Sequence, residues 1–312
     1  MLRSIYLRLS VTDLCDLRCI YCRSADGVDL KPRDEIMSFE EMVDHVKLID
    51  GVTPIRKLRL TGGEPLVRRD ITRLVGMLRQ ALPNAEIAMT TNGHTLFELA
   101  GELKSAGLER VNISLDTLKP ERFEYITRGG NLRRVLAGID AAIDAGLTPV
   151  KINTVLLRGI NDDELADIVR FASERGLVAR FVELMPTPAS ESLGSRVFMS
   201  VFSALKIISR RIDVEVASRS SSGYMVCRAA LNGGPVRFEF IPSMTGPFCD
   251  TCNRLRLDST ARLFPCLLSD EHIDLRSFGD EAAAAAEVKR LVSSKHPPSV
   301  RRRSTSMSSI GG

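Results

Sequence analysis

Six of the seven cysteines fall into two groups of three: Cys15, Cys19 and Cys22 near one end of the chain, Cys249, Cys252 and Cys266 near the other. Thiolates grouped in this way suit soft metals better than packing. An odd count with no secretion signal argues against a disulfide framework, because cytosolic thiols are kept reduced. The first group, Cys15-x3-Cys19-x2-Cys22, has no fourth Cys or His close by, whereas a structural zinc site wants four closed ligands. A cubane iron–sulfur cluster is held by thiolates on its irons, so three ligands would leave one iron open to bind something else. An incomplete zinc site, or plain reduced cysteines, are the other readings that spacing alone leaves standing. The second group, Cys249-x2-Cys252-x13-Cys266, reads either the same way or as three ligands of a zinc ribbon. Cys227 stands apart and reads as a small buried hydrophobe.

Elements must position these thiols, and the strand pattern names a second chemistry. Strands are predicted at Tyr6–Val11, Arg56–Leu60, Glu86–Thr90, Arg110–Leu115, Pro149–Leu156 and Val178–Met185. Helices are predicted at Phe39–Asp50, Asp70–Leu82, Leu96–Ala106, Leu132–Ala145 and Asp162–Arg175, several followed by a glycine suited to a left-handed cap. Six β/α alternations imply a parallel sheet with helical crossovers, two short of a closed barrel. At period two, one strand face carries Arg8 and Ser10, then Lys57, Arg59 and Thr61, then Thr90 and Asn92. The same face continues with Asn112, Ser114 and Asp116, then Lys151 and Asn153. Opposite lie Leu7, Leu9, Leu58, Leu60, Val111, Ile113, Val150 and Ile152. A parallel strand covered on both faces should read as a continuous apolar run. One such polar residue could be merely solvated, but five strands sharing the pattern read as the concave lining of a wet, positively charged pocket.

From about Met185 the pattern changes. Pro186, Pro188 and a Ser/Gly-rich connector lead to a predicted helix at Val197–Ser209 and short strands at Asp213–Ala217, Tyr224–Arg228 and Val236–Phe240. The alanine run 282–286 reads as a helix. The expected organisation is an α/β incomplete barrel over residues 1–188, an α+β extension over 189–292 covering its open side, and a flexible Ser/Arg-rich tail over 293–312.

Composition bounds the partners. The chain has 312 residues, 44% hydrophobic and 26% charged, which excludes a disordered, collagenous or coiled-coil protein. No run approaches the ~18 apolar residues of a membrane span, and the chain opens on a strand pattern without a signal peptide, so a cytoplasmic protein is expected. A net charge of +4 is too weak to imply nucleic acid, and with no Trp and 5% aromatics a base-stacking platform is not expected either. A small anion suits the pocket. The run Arg301–Arg303 reads as a solvated tail.

Cys15-Asp-Leu-Arg-Cys19-Ile-Tyr21-Cys22 resembles the CxxxCxxC signature of the radical S-adenosylmethionine (SAM) enzymes. Thr61-Gly62-Gly63-Glu64-Pro65 resembles that superfamily's GGEP motif, where backbone without Cβ can approach a ligand closely. Cys249-Asp-Thr-Cys252-Asn-Arg254-Leu-Arg256-Leu, then Phe264-Pro-Cys266-Leu, and the end Gly311-Gly312 resemble the GTP 3′,8-cyclase family, lyases of molybdenum cofactor biosynthesis. Fewer residues precede Arg8 than that family's pattern would have.

The resemblance implies a radical SAM partial barrel with two [4Fe–4S] clusters. One lies on Cys15, Cys19 and Cys22 with SAM on its open iron, the other on Cys249, Cys252 and Cys266 against the substrate. It implies SAM contacts from Tyr21, Gly63, Ser114 and Met185. It implies GTP contacts from Arg8, Lys57, Arg59, Thr90, Lys151, Arg254, Arg256 and the backbone of Leu255, with Arg8, Arg254 and Arg256 taking part in catalysis. The implied reaction forms a 5′-deoxyadenosyl radical that takes the 3′ hydrogen of GTP. The sugar radical then attacks C8 to give 3′,8-cyclo-7,8-dihydro-GTP, the first step of the pathway. The implied partners are a flavodoxin- or ferredoxin-type electron donor and cyclic pyranopterin monophosphate synthase, which takes the product. The oligomeric state stays open, a homodimer included. Two rivals remain at this point: a peptide-modifying radical SAM maturase with an auxiliary cluster, and a zinc-stabilised binding module without catalysis.

Overall fold

Strands with one apolar face need cover, and the helix that follows each strand supplies it. The computed structural model describes residues 4–24, 30–220, 223–231, 234–293 and 295. Strands β1 (Ile5–Ser10), β2 (Ile55–Thr61), β3 (Glu86–Thr91), β4 (Arg110–Ser114), β5 (Lys151–Leu156) and β6 (Val178–Glu183) are parallel neighbours in chain order. The crossovers carry α1 (Phe39–Val52), α2 (Ile71–Ala81), α3 (Leu96–Ser105), the pair α4 (Pro120–Thr127) and α5 (Leu132–Asp144), and α6 (Leu165–Glu174). Local chemistry starts them where the pattern predicts. The Ser38 hydroxyl accepts the Glu41 N–H at 3.1 Å to open α1, and the Asn131 amide oxygen accepts the Arg133 N–H at 2.9 Å to open α5.

The predicted apolar face is the core. Leu7, Leu9, Leu58, Leu60, Val111, Ile113, Val150 and Ile152 are buried with Met42, Val46, Leu74, Leu78, Leu103, Val135, Ile139 and Ile168 from the helices. Each such side chain contributes about 1.5–3 kcal/mol of burial. Helix α4 is an addition to the sequence reading. Its start was legible, since Pro120 occupies the first turn, where a missing N–H costs nothing.

After α7 (Pro188–Glu191) and α8 (Val201–Ile208), strands β7 (Val214–Arg219), β8 (Met225–Leu231) and β9 (Gly234–Ile241) form an antiparallel meander. Strand β10 (Arg254–Leu257) follows, then β11 (Arg262–Phe264), β12 (Ile273–Asp274) and α9 (Glu281–Ser293). The extension, expected to lie over the open side, lengthens the sheet at both edges. β9 joins β6 and β10 joins β1, both in parallel, to give a twelve-stranded order β12-β11-β10-β1-β2-β3-β4-β5-β6-β9-β8-β7. Strands β1 and β6 would otherwise end the sheet with a row of unpaired N–H and C=O groups, which these partners satisfy. Among the described residues no pairing closes β12 onto β7. Cys227 is fully buried on β8, and burial pushes its thiol up to about 11, as a packing residue requires. Apart from Ser293 and Lys295, the tail expected at 293–312, with Arg301–Arg303 and Gly311-Gly312, lies outside the described residues.

Candidate active site

The loop after β1 carries the first cysteine group and is pinned from three sides. The Gly63 N–H donates to the Thr12 carbonyl at 2.8 Å and the Glu64 N–H to the Leu14 carbonyl at 2.7 Å. A Cβ at Gly63 would stand 2.1 Å from the Leu14 oxygen, so this glycine permits close approach of the cysteine loop itself. Beneath the loop, the Arg18 and Ile20 N–H groups donate to the carbonyls of Thr127 and Ile126 at the end of α4. Tyr21, between Cys19 and Cys22, donates to Asp116 Oδ2 at 2.6 Å, and Asp116 also accepts the Val155 N–H at 2.8 Å. Burial raises Asp116 to about 6 and Glu64 to about 7. Burial likewise pushes the Cys15 thiol up to about 12 and the Cys19 thiol well above its usual range, with Cys22 and Asp116 adding to the latter.

At the other end of the strands lies a cavity of about 550 Å³. Its walls carry Lys57, Arg59, Arg110, Lys151, Arg180, Arg237 and Arg254, with Glu239 among them. The sheet register explains the convergence. Lys57, Tyr6 and Arg254 are neighbours on one rung of β2, β1 and β10, and Arg59, Arg8 and Arg256 on the next. Four cations around Tyr6 overcome the opposing effect of burial and bring its phenol down to about 7, with Arg59 the strongest. Arg59 also donates to the Tyr6 hydroxyl, to the Met89 carbonyl at 3.1 Å and to Thr90 Oγ1 at 3.3 Å. Burial and neighbouring Arg180 lower Lys151 to about 8. Arg254 sits in an aromatic box, 5.8, 5.5 and 4.7 Å from the ring centres of Tyr6, Tyr224 and Phe248, and donates to the Tyr224 hydroxyl at 2.7 Å.

The second cysteine group borders this cavity. Cys252 is in its wall; Cys249 lies on the turn just before, and Cys266 follows β11. Lys295 Nζ stands 3.7 Å from Cys252 Sγ and also donates to the Arg254 carbonyl. Burial alone would raise the Cys252 thiol, but Lys295, the Arg254 N–H and the Arg254 and Arg256 guanidinium groups bring it below its usual value. The segment leading to Cys249 is held by the buried Glu183 carboxylate, which accepts N–H bonds from Val201, Met244 and Thr245 at 2.9, 2.7 and 2.9 Å.

Two family models match successive parts of the chain, the radical SAM superfamily over residues 9–172 and Molybdenum Cofactor Synthesis C over 177–300. The GTP 3′,8-cyclase of Moorella thermoacetica is 44% identical over 315 residues, covering 98% of this chain and 97% of that protein. The chain belongs to the GTP 3′,8-cyclase family. A second cyclase, from Peptoclostridium acidaminophilum, is 47% identical over 274 residues, covering 86% of this chain and 82% of that protein. Among solved structures, Streptococcus suis SuiB has a TM-score of 0.59 at 14% identity, covering 90% of this chain and 65% of that one, a likeness of fold alone.

Cyclases of this radical SAM family use SAM and two [4Fe–4S] clusters, and the residues present fit those groups. The donor set is soft thiolate in threes, Cys15, Cys19 and Cys22 in the loop after β1 and Cys249, Cys252 and Cys266 around β10 and β11, which suits clusters that each keep one iron open. The buried Oδ1 atoms of Asn112 and Asn153 have no hydrogen-bond partner, and they lie mid-strand between the two cysteine ends. Buried acceptors in that position suit a polar ligand running between the ends.

Of the residues read from sequence for SAM, Tyr21, Gly63, Ser114 and Met185 lie at or just beyond the C-terminal ends of β1, β2, β4 and β6. Of those read for GTP, Lys57, Arg59, Lys151 and Arg254 line the cavity, while Thr90 supports Arg59. Arg8 and Arg256 share the rung of Arg59 but are not in the cavity wall, and the Leu255 side chain is buried on the opposite, apolar face. Sequence reasoning missed Tyr6, Arg110, Arg180, Tyr224, Arg237, Phe248 and Glu239. Tyr6 was legible, two residues before Arg8 on the same face, and Arg180 lies inside a predicted strand. Tyr224 and Phe248 come from segments distant in sequence, and only the fold brings them to Arg254.

Proposed function

We infer that this chain converts GTP to (8S)-3′,8-cyclo-7,8-dihydroguanosine 5′-triphosphate in molybdenum cofactor biosynthesis. The single observation that carries the assignment of residues is the register of β10 on β1. It sets Arg254 and Arg256, which follow the second cysteine pair, beside Tyr6 and Arg8, which precede the first. That register supports a reading in which the segment after the second cysteine group and the strand leading to the first share one cationic cavity.

In this reading the triphosphate lies against Lys57, Arg59 and Lys151, and the guanine faces Cys249, Cys252 and Cys266. Guanidinium forks and ammonium groups are the donors a polyphosphate needs. The crowding of Arg8, Arg254 and Arg256, with Arg256 lowered well below its usual value by burial and by the other two, favours a polyanion in their midst. These three would hold charge on the substrate as its ring closes. Cys15, Cys19 and Cys22 would hold the first cluster, with Tyr21, Gly63, Ser114 and Met185 orienting SAM. When bound, the first cluster and SAM would supply the radical chemistry that starts at the 3′ carbon of GTP. The protein contributes position and exclusion of water. Residues 1–188 serve as the catalytic barrel and 189–292 as the substrate-side extension. A flavodoxin- or ferredoxin-type donor would supply electrons in the cytoplasm, with the product passing to cyclic pyranopterin monophosphate synthase. Among the described residues no helix is long and apolar enough to cross a membrane.

The test is GTP deuterated at C3′, incubated anaerobically with reconstituted protein, SAM and dithionite. Deuterium in the 5′-deoxyadenosine is expected. Unlabelled 5′-deoxyadenosine formed equally without GTP would sink the cyclase assignment while keeping SAM cleavage.

A further inference from the structure

The cavity assigned to the triphosphate also contains a carboxylate. Glu239 on β9 is 1% exposed, and three cations converge on it. Lys151 Nζ lies 3.1 Å from Oε1, Arg237 Nη2 2.8 Å from Oε1, and Arg180 Nη2 2.6 Å from Oε2. The sheet builds this cluster: Arg180 and Glu239 are register partners across β6 and β9, and Arg237 precedes Glu239 by two residues on the same face. Burial disfavours the charged carboxylate, but Arg180 and Lys151 bring Glu239 down to about 2, so it is ionised at any working pH.

β2 and β10 supply other cations of the cavity, and although Lys57 there pairs with Glu86 at 3.0 Å, its neighbours are held by hydroxyl groups. There Arg254 and Arg59 donate to the hydroxyl groups of Tyr224 and Tyr6. A phosphate meeting Arg254 displaces no carboxylate, whereas a phosphate meeting Lys151, Arg180 or Arg237 must share each of them with Glu239. Hydrogen bonds between ionised partners are the strong ones, and like charges brought together in a confined site repel strongly. The carboxylate therefore removes part of what the last phosphate would gain.

We propose that Glu239 is a specificity-determining residue that competes with the terminal phosphate of the substrate for Lys151, Arg180 and Arg237, and so sets how strongly the site distinguishes phosphate-chain lengths. The proposal rests on the reading of this cavity as the triphosphate site. Glu239→Gln keeps the shape and removes the charge, which frees the three cations for phosphate oxygens.

The experiment is calorimetric binding of GTP, GDP and GMP to anaerobically reconstituted holoenzyme, wild type against Glu239→Gln. GTP affinity is expected to rise at least tenfold in the variant while GMP stays within about twofold, so that the GTP-to-GMP ratio widens. If all three nucleotides weaken by a common factor, the carboxylate only holds the cations in place and the proposal falls. An unchanged ratio overturns it as well. A wild-type enzyme that binds GTP, GDP and GMP equally would overturn the triphosphate reading itself, a result separable from the other two. Should Glu239→Gln lose iron or far-ultraviolet dichroism, Glu239→Asp takes its place, because its shorter carboxylate withdraws from Lys151 and Arg237. A wider ratio there supports competition, and an unchanged one overturns it.

Discussion

The two cysteine groups use the same ligand type in opposite electrostatic surroundings. At Cys15 and Cys19 burial is the largest effect and disfavours thiolate; Glu64 and Asp16 add to it at Cys15, against the Leu17 N–H and Arg23, and Cys22 and Asp116 add to it at Cys19. Around Cys252 the neighbours are Lys295, Arg254 and Arg256, and thiolate is favoured despite burial. In the proposed reading the first site receives a molecule that brings its own positive charge, as SAM does with its sulfonium, and the second lies beside a polyanion. Two sites built from three cysteines each are thus told apart by what surrounds the sulfur.

The strongest way to break that comparison is to remove one thiol from each group. Cys19→Ser is expected to abolish 5′-deoxyadenosine formation with or without GTP, together with cyclised product. Cys252→Ser is expected to abolish product while GTP-independent 5′-deoxyadenosine formation persists at the wild-type order of magnitude. Anaerobic assays by mass spectrometry read both, and loss of SAM cleavage in both variants would mean the two sites are not separable. In metal-free reduced protein the surroundings alone should show. Iodoacetamide at pH 8 should modify Cys252 at least about tenfold faster than Cys15 or Cys19, since the thiolate is the nucleophile. Equal rates, read by peptide mass spectrometry, would remove the electrostatic distinction.

Much of this organisation is legible in the amino-acid sequence. The cysteine spacings, the GGEP segment and the alternation of Lys57 with Arg59 and Arg254 with Arg256 are local in sequence, and local patterns survive into the fold. The parallel order of β1 to β6 follows from strand and helix periodicity in the same way. What escapes is set by long-range pairing. No periodicity places β10 beside β1, and without that register Arg254 has no relation to Tyr6. Glu239 reads as an ordinary charge on a short strand, and only its pairing with Arg180 moves it into the cavity. Several residues on the expected wet face, Arg59, Thr61, Asn112 and Asp116 among them, are buried. A polar face lined up on a curved sheet closes over itself, burying its groups whether or not they find partners, which sequence alternation cannot distinguish from exposure to water.

The acidic surroundings of the first site have a cost that pH exposes. Asp116 titrates at about 6 in the folded protein, above its usual value of 3.8, because burial disfavours its charge. A raised folded pKa means the folded state holds the proton more tightly, so this contribution is present at low pH and is lost as pH rises from about 4 through 6. In urea titrations of the metal-free protein, the stability of wild type relative to Asp116→Asn should therefore decline across that interval by roughly 3 kcal/mol and then level off. A difference that does not change with pH would show that the carboxyl is solvated or paired when charged. At the second site the charged groups acting on Cys252 are, among the described residues, Lys295, Arg254 and Arg256, so a charge-neutralising change there should leave this interval flat.

The finest probe concerns how the second site aims its guanidinium. Arg254 is restrained by three aromatic rings and by one hydrogen bond to the Tyr224 hydroxyl at 2.7 Å. Tyr224→Phe keeps the ring and removes only that bond. A bond between a charged donor and a hydroxyl is worth about 1.5–3 kcal/mol, but water can replace part of it in an open cavity. The expected outcome is therefore a rise of about fivefold to tenfold in the GTP concentration for half-maximal rate, with SAM cleavage in the absence of GTP unchanged. The rings still confine the guanidinium, so the maximal rate should fall by less than the affinity does. A change of the same size in GTP-independent SAM cleavage would mean that Tyr224 acts through the fold rather than on Arg254. No change in either would mean that the aromatic box alone orients the guanidinium and the hydroxyl is dispensable.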